Sequence, residues 1–386
     1  MFIGNVPLLA LFRPLARAAS TTAQQRAGCP AGHFPIALPG EARQDGAAIR
    51  RSGMAKPKVL FIGTGGTMSA LGTGGPFDIM DYASHGRFMP ADEIIAHWPQ
   101  VLEKADVVPI RFRNVPSTAL GPTEWLELLA LCHASVADHP DAAGIVIGHG
   151  TATLEETAYF LSLTHRLPVP VVVVGAQRPS SGLATDAPMN LANGIRVAAD
   201  PAARGLGALV VLNDEINAAR EVTKTSTSRM QTFRSPDFGV LGHCDGDRIA
   251  WYRRPIRRAA PDTEFDLAGI AVLPRVDVMV SYAGGDGAAA AAFAAAGAKG
   301  IVIAGFAPGF MSPGEADALD RVARQGVVVV VSSRAGSGRV FGTARKRELG
   351  FIDADNLTPQ KARILLMLAL TRTRDGAEIA RMFAEY

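Results

Sequence analysis

The chain has little cysteine, and what it has is scattered: Cys29, Cys132 and Cys244 among 386 residues. An odd, sparse set with no metal-ligand spacing argues against a disulfide framework and fits a reducing compartment. A cytoplasmic protein is therefore expected, with Cys132 and Cys244 structural. The eight histidines form no HxxxH or HExxH pattern, so neither motif offers a metal site. His149 alone draws notice, because it sits in a strand-end turn, and there it reads first as a residue that orients backbone. No apolar run approaches the roughly 18 residues of a spanning helix, so no membrane partner is expected. Charge of one sign is also scarce: 39 Lys and Arg against 36 Asp and Glu give +3. The loose cluster RRPIRR (Arg253 to Arg258) reads as a solvated face, and no nucleic-acid partner is expected.

What the chain has is apolar residues (48%), 40 glycines and 25 prolines, the composition of a globular protein with many turns. Its length suggests two domains. The first 53 residues differ from the rest, being apolar with arginines and then polar and rich in Gly and Pro. They read as a non-domain tail, either a weak targeting segment or an over-extended start ahead of Met54.

From Lys58 onward, short apolar strands alternate with helices. VLFIG, VVPIRF (Val107 to Phe112), GIVIG (Gly144 to Gly148), PVVVVG (Pro170 to Gly175) and ALVVLND (Ala208 to Asp214) read as strands. Thr123 to Val136 carries Trp125, Leu128, Leu129 and Cys132 at helical spacing. Leu154 to Leu163 reads as a helix with a threonine cap and with Glu155 and Glu156 in its first turn. Leu191 to Ala199 is a further helix. Strands apolar throughout must be covered on both faces, which predicts a mostly parallel α/β sheet. Gly239 to Ala260 reads as a hairpin or linker. A second α/β unit follows, with strands at 276–283, 300–306 and 326–333 and helices at 288–296, 314–325, 359–369 and 377–386. The expected division is a large domain over 54–258, a linker over 259–267 and a smaller domain over 268–386.

Parallel sheets hold ligands beyond the carboxyl ends of their strands. Two such ends carry hydroxyls. In GTGGTMS, glycines 63, 65 and 66 allow close backbone approach, so Thr64 and Thr67 can point at one small ligand; a plain glycine-rich turn or a phosphate cradle is the plainer reading. It is not GxGxxG, and GK[ST] is absent. In GHGTAT, Thr151 and Thr153 offer hydroxyls. A hydroxyl is a poor nucleophile unless a group takes its proton, and no GxSxG elbow is present. Lys224, among threonines in REVTKTSTSR, is the remaining candidate, since a partly desolvated lysine can act as a base.

The stretches FIGTGGTMSA, IGHGTATLEETAYFL, VVVGAQRPSSGLATDAPMNLANGIRVA, VLNDEINAAREVTKTSTS and NLTPQKARILLMLALT together resemble the bacterial-type L-asparaginase and glutaminase-asparaginase family, from Lys58 to Tyr386. The resemblance implies two α/β domains, hydrolysis of a side-chain amide to acid and ammonia, and a homo-oligomer, dimer or tetramer, whose sites are completed at a subunit contact. It implies no metal and no cofactor. It also implies that Thr67 is the nucleophile, Tyr82 the tyrosine brought to it by a mobile loop, and Thr151 and Lys224 the second threonine and its lysine. Thr64, Ser117, Thr118, Gly150 and Ala152 would contact the substrate, Ser117 at the substrate's carboxylate.

The chain departs from the family pattern where a substrate ammonium would be held. Ala152 stands where an aspartate is expected, Thr118 where a glutamine is, and Gly284 where an asparagine is. No acid follows the SSR turn between Arg334 and Arg347. An unpaired buried ammonium is costly, so the expected substrate is L-asparagine or a related carboxylate-bearing amide, including one that lacks a free α-amine. Two other readings are a non-catalytic small-ligand binding protein on this fold and an ammonia-passing transamidation subunit. The latter would want an N-terminal domain that the 53-residue tail is too short to form.

Overall fold

A computed structural model describes residues 55–386; the expectations for residues 1–53 and for Cys29 lie outside the described residues. The described residues form one compact unit.

Strand β1 (Lys58–Gly63) leads into a ribbon of β2 (Ala70–Leu71) and β3 (Arg87–Phe88), and between these two lies a single helical turn, α1 (Tyr82–His85). There follow α2 (Ala91–His97), β4 (Asp106–Arg111), α3 (Pro122–Asp138), β5 (Ala142–Gly148), α4 (Leu154–Thr164), β6 (Val171–Val174), α5 (Ala187–Ala199) and β7 (Ala208–Leu212). β8 (Glu215–Ala218) turns back on β7. β9 (Thr223–Lys224) and β10 (Phe233–Arg234) pair as a separate ribbon, and β11 (Gly242–Cys244) and β12 (Ile249–Trp251) form a hairpin at the sheet edge. The eight-stranded sheet runs β12-β11-β8-β7-β6-β5-β1-β4. From β4 to β7 the pairings are parallel; beyond β7 they are antiparallel.

Two of the differences from the expectation bear on the site. The strand predicted to reach Asp214 stops at Leu212, because Asn213 and Asp214 take positive φ of 54° and 61°. That is the conformation a two-residue hairpin turn demands, and Asn-Asp signals it less strongly than Asn-Gly. The predicted loop around Lys224 contains the short ribbon strand β9, whose few residues carry no readable alternation.

The second sheet is parallel, in the order β13 (Val276–Val280), β14 (Gly300–Gly305), β15 (Val328–Ser333), β16 (Ile352–Asp353). Its helices are α6 (Ala288–Ala295), α7 (Pro313–Ala323), α8 (Ala344–Glu348), α9 (Pro359–Ala369) and α10 (Gly376–Glu385). The domain division we propose, at 259–267, falls between β12 and β13.

The period of two in β1 sorts its side chains. Leu60 and Ile62 join a core that takes in α3, α4 and α9, whereas Val59 and Phe61 join the core beneath α2 and α5. All four are fully buried, each worth about 2 kcal/mol of apolar burial. The first of these cores runs on through Leu365 and Leu368 to Val302 and Val330 of the second sheet, so α9 packs between the two sheets. Chain order places β4 and β5 on opposite sides of β1. The connections therefore diverge there, leaving a crevice at the carboxyl ends, where open α/β sheets bind ligands.

Candidate active site

The turns after β1 and β5 leave neighbouring strands at one level, since Gly63 pairs with Gly148. Thr64 ties them together: its backbone N–H and its hydroxyl both donate to the Gly148 carbonyl, at 2.9 and 3.0 Å. Thr64 was expected to face a ligand. It is fully buried instead and lies outside the cleft lining, because the hydroxyl that would reach outward closes the turn. At Gly66 (φ +78°) an added Cβ would stand 2.2 Å from the Gly150 Cα. The two turns thus touch backbone to backbone, which only glycine permits.

The third wall is the single turn Ser117–Ala119 that follows β4. Ser117 is buried, and a Cβ on Gly150 would come within 2.8 Å of its hydroxyl oxygen. Thr153 occupies the cap position of α4 but does not cap it; its hydroxyl donates to the Ser117 carbonyl at 2.8 Å. The predicted threonine cap is corrected accordingly: the hydroxyl fastens the Ser117 turn to the β5 turn.

A cleft of about 230 Å³ opens between these turns, lined by Thr67, Tyr82, Ser117, Thr118, Gly150, Thr151, Ala152 and Lys224, with Phe88 and Pro116 among its apolar side chains. Two hydrogen-bonded pairs face it, one of two hydroxyls and one of a hydroxyl with an amine. Thr67 Oγ1 lies 2.7 Å from Tyr82 Oη, and Lys224 Nζ donates to Thr151 Oγ1 at 2.8 Å. Tyr82 comes from α1, and the glycines that bracket it allow the return: a Cβ on Gly72 would strike the Tyr82 Cβ at 2.8 Å, and one on Gly86 the Tyr82 carbonyl oxygen at 2.3 Å. In the same segment Phe77 and Met80 are exposed.

His149 lies behind the turn, fully buried. Its Nδ1 is 2.8 Å from the Gly150 carbonyl, which can only accept, so Nδ1 carries the proton. Its Nε2, 2.9 Å from the Thr157 hydroxyl, then accepts, and Trp125 Nε1 donates to the same hydroxyl at 2.9 Å. Burial pushes the His149 pKa down to about 4, so the ring is neutral and acts as a brace for Gly150. The turn-orienting reading of His149 agrees with this geometry.

Burial lowers the Lys224 pKa, and Glu155 partly restores it. Glu155 is itself buried; one of its oxygens accepts from the Lys224 backbone N–H at 2.6 Å, the other from Gln360 Nε2 at 2.6 Å. Sequence reasoning placed Glu155 only as a first-turn acid and did not single out Gln360. Periodicity offered no signal: α4 is buried at every position but Glu156, so its spacing does not single out Glu155. Nothing in the sequence could show that α9 delivers Gln360 to that point, 205 residues away.

Lys224 is the one charged side chain in the cleft lining among the described residues. Ala152 is exposed there and supplies no polar group. A larger cleft of about 750 Å³ opens on the other side of Lys224, lined by Glu156, Arg334 and Arg363 among others. Arg334 donates to the Ser281 carbonyl at 2.9 Å and lies over the Phe306 ring. Gly284 stands at φ +83° with open space around it. Among the described residues, no group of three or more His, Cys, Asp or Glu could hold a metal ion, and no helix is long and apolar enough to cross a membrane.

Paired hydroxyls, one backed by a desolvated lysine, in a small crevice at a parallel-sheet divergence are the equipment of an α/β protein that acts on a small polar ligand. Comparison with known proteins makes the class definite. The family description "Asparaginase, N-terminal" matches residues 58–257, and "Glutaminase/Asparaginase C-terminal domain" matches residues 275–383. The chain is 37% identical over 335 residues to the L-asparaginase 2 of Escherichia coli, spanning 86% of this chain and 94% of that one. It is 37% identical over 331 residues to the glutaminase-asparaginase of Pseudomonas fluorescens, 85% of this chain and 90% of that one. The crystal structure of a probable cytoplasmic L-asparaginase from Campylobacter jejuni superposes with a TM-score of 0.81 at 38% identity, covering 86% of this chain and all of the other. The chain belongs to the asparaginase and glutaminase-asparaginase family of amidohydrolases, enzymes that hydrolyse carboxamides.

Proposed function

We propose that the protein hydrolyses L-asparagine or, better, a related carboxylate-bearing amide without a free α-ammonium group, through an acyl-enzyme on Thr67. The observation that carries this reading is the pairing of Thr67 with Tyr82 and of Thr151 with Lys224 across one cleft whose lining holds no carboxylate. Thr67 Oγ1 attacks the amide carbon, and its proton passes by way of Tyr82 to the departing nitrogen, which leaves as ammonia. Water then attacks the ester, returning the proton to Thr67 and releasing the acid. Thr151 and Lys224 supply the positive field and exchange protons with the attacking water. The backbone N–H groups of Thr67 and Thr151 make no hydrogen bond among the described residues and are the donors offered to the oxyanion. Ser117, Thr118 and Gly150 border the substrate carboxylate, and Ala152 leaves room where an ammonium would need a charge.

The compartment proposed is the cytoplasm, consistent with the free, buried Cys132 and Cys244 and with the name of the Campylobacter relative. The proposed assembly is a homo-oligomer. Val280, Tyr282, Phe310 and Phe341, all on the smaller domain, are large apolar residues left exposed, as an interface between copies would require.

The test is a panel of amides matched for the carboxylate and differing in the α-amine, with ammonia release followed and an acyl adduct on Thr67 trapped for mass spectrometry. Release without any adduct would overturn the covalent route. A preference for amides bearing the free α-amine would overturn the substrate assignment. The second reading, a non-catalytic binding protein, draws on Ala152 and predicts saturable binding of one panel member with no ammonia from any.

A further inference from the structure

Lys224 is held from a distance. Three elements converge on Glu155: its own helix α4, the ribbon strand β9 through the Lys224 N–H, and the first turn of α9 through Gln360. The two carboxylate oxygens point to different elements, and each accepts at 2.6 Å. Gln360 therefore fixes the rotation of Glu155, and Glu155 fixes the backbone at Lys224. The next residue of α9 grips the same segment a few residues earlier. Lys361, 1% exposed, donates from Nζ to the Arg220 carbonyl at 3.0 Å and to the Val222 carbonyl. These carbonyls lie four and two residues before Lys224. A buried ammonium with two carbonyl partners is a demanding arrangement to hold merely for packing.

We propose that Gln360 and Lys361 are positioning residues for the proton-handling pair: the first turn of α9, from the smaller domain, sets where Lys224 presents its ammonium to Thr151 in the larger one. This rests on the hydrolytic reading above for its catalytic consequence, but not for its geometry. The charged groups around Glu155 are Lys224 on β9, Lys361 on α9 and the adjacent Glu156; Arg220, Glu221 and Arg363 stand around those. Removing the Gln360 donor leaves a buried carboxylate oxygen without a partner, a state that relaxes by rotation or protonation. Either change frees the Lys224 backbone and weakens the field that holds its amine charged.

The experiment uses the full chain with Gln360→Met, which keeps the length and loses the donor, and Gln360→Glu. Gln360 is half-buried at the second position of its helix, so both changes spare the core, and a melting curve checks this. Two readouts are taken: kcat and KM on the best amide of the panel, and the pH dependence of trace acetylation of the Lys224 amine by acetic anhydride, read by mass spectrometry. For Gln360→Met, kcat should fall about 10- to 100-fold, as small displacements of reacting groups do, with KM little changed and the Lys224 amine titrating at lower pH. For Gln360→Glu, kcat should stay near wild type where the new carboxyl is protonated and can donate, then fall as pH rises and the two carboxylates repel. A purely structural role would move only the melting temperature. The proposal is overturned if both variants keep the wild-type pH profile and acetylation curve. Should the wild type release ammonia from no amide, the functional reading fails, and the acetylation curve still decides the positioning role.

Discussion

The two turns that form the cleft share a plan and differ in one partner. Each leaves a largely apolar strand through glycines, each brings a threonine to the crevice, and their parent strands are in register. Thr67 is met by a phenol from the segment just beyond it, 15 residues on. Thr151 is met by an ammonium 73 residues away, on a ribbon that a second domain clamps. The first hydroxyl meets a phenol hydroxyl that can donate or accept its hydrogen bond, and its segment exposes Phe77 and Met80 to solvent. The second accepts a charged hydrogen bond in a rigid setting, with its turn braced by His149 from behind. In the hydrolytic reading proposed above, the attacking hydroxyl is thereby set beside one backed by a charge.

Breaking the first turn should have the largest effect. Thr67→Ala should lower ammonia release by about 10⁴-fold or more, the scale of losing a nucleophile, while a ligand analogue still binds. If the activity survives and Thr151→Val abolishes it, the two turns have been assigned the wrong way round. Lys224→Met tests the second turn. It should lower kcat by about 10²- to 10³-fold, the scale of one preorganised charge donor, with a smaller change in KM.

His149 sharpens the contrast through stability. Its pKa is depressed to about 4 against an ordinary value of 6.5, so the folded state favours the neutral ring. The stability it contributes is complete above about pH 6.5 and is lost as pH falls towards 4, amounting to about 3 kcal/mol. His165, depressed to about 4 by the same cause, adds to this slope. Denaturant melts of wild type and His149→Gln between about pH 4 and 7 should converge at the acid end; parallel curves would remove His149 as a source of acid lability. The smallest effect expected is a gain. Ala152→Asp restores an anion to the rim of the second turn and should raise kcat/KM for free L-asparagine about 10-fold, less than a fully desolvated charge pair would give. No gain, with the structure unchanged, would place the ammonium elsewhere.

Much of this was legible in the chain. Runs such as VLFIG and GIVIG announced strands buried on both faces, and the expected helices at 359–369 and 377–386 lie within a residue of those observed. Thr67, Thr151 and Lys224 follow as candidates from strand ends and residue chemistry alone. Thr64 and Thr153 show the limit. They are the same residue type in the same turns, yet their hydroxyls close backbone contacts at Gly148 and Ser117. Which of two neighbouring threonines faces a cleft depends on the φ and ψ of the residues between them, Gly65 and Gly66 in one turn and Ala152 in the other, and residue type alone does not set those angles.

The sequence by itself determined the alternation of strands and helices, the hydroxyls at the two strand ends, and the lack of an acid at Ala152 and between Arg334 and Arg347. These are local facts, written in periodicity and residue type. Tertiary structure alone decided that Lys224 meets Thr151, that Tyr82 meets Thr67, and that Gln360 reaches Glu155 from the other domain. Each joins segments that local propensity does not relate, and each exists because packing α9 and the turns against one apolar core leaves these polar groups a single set of partners.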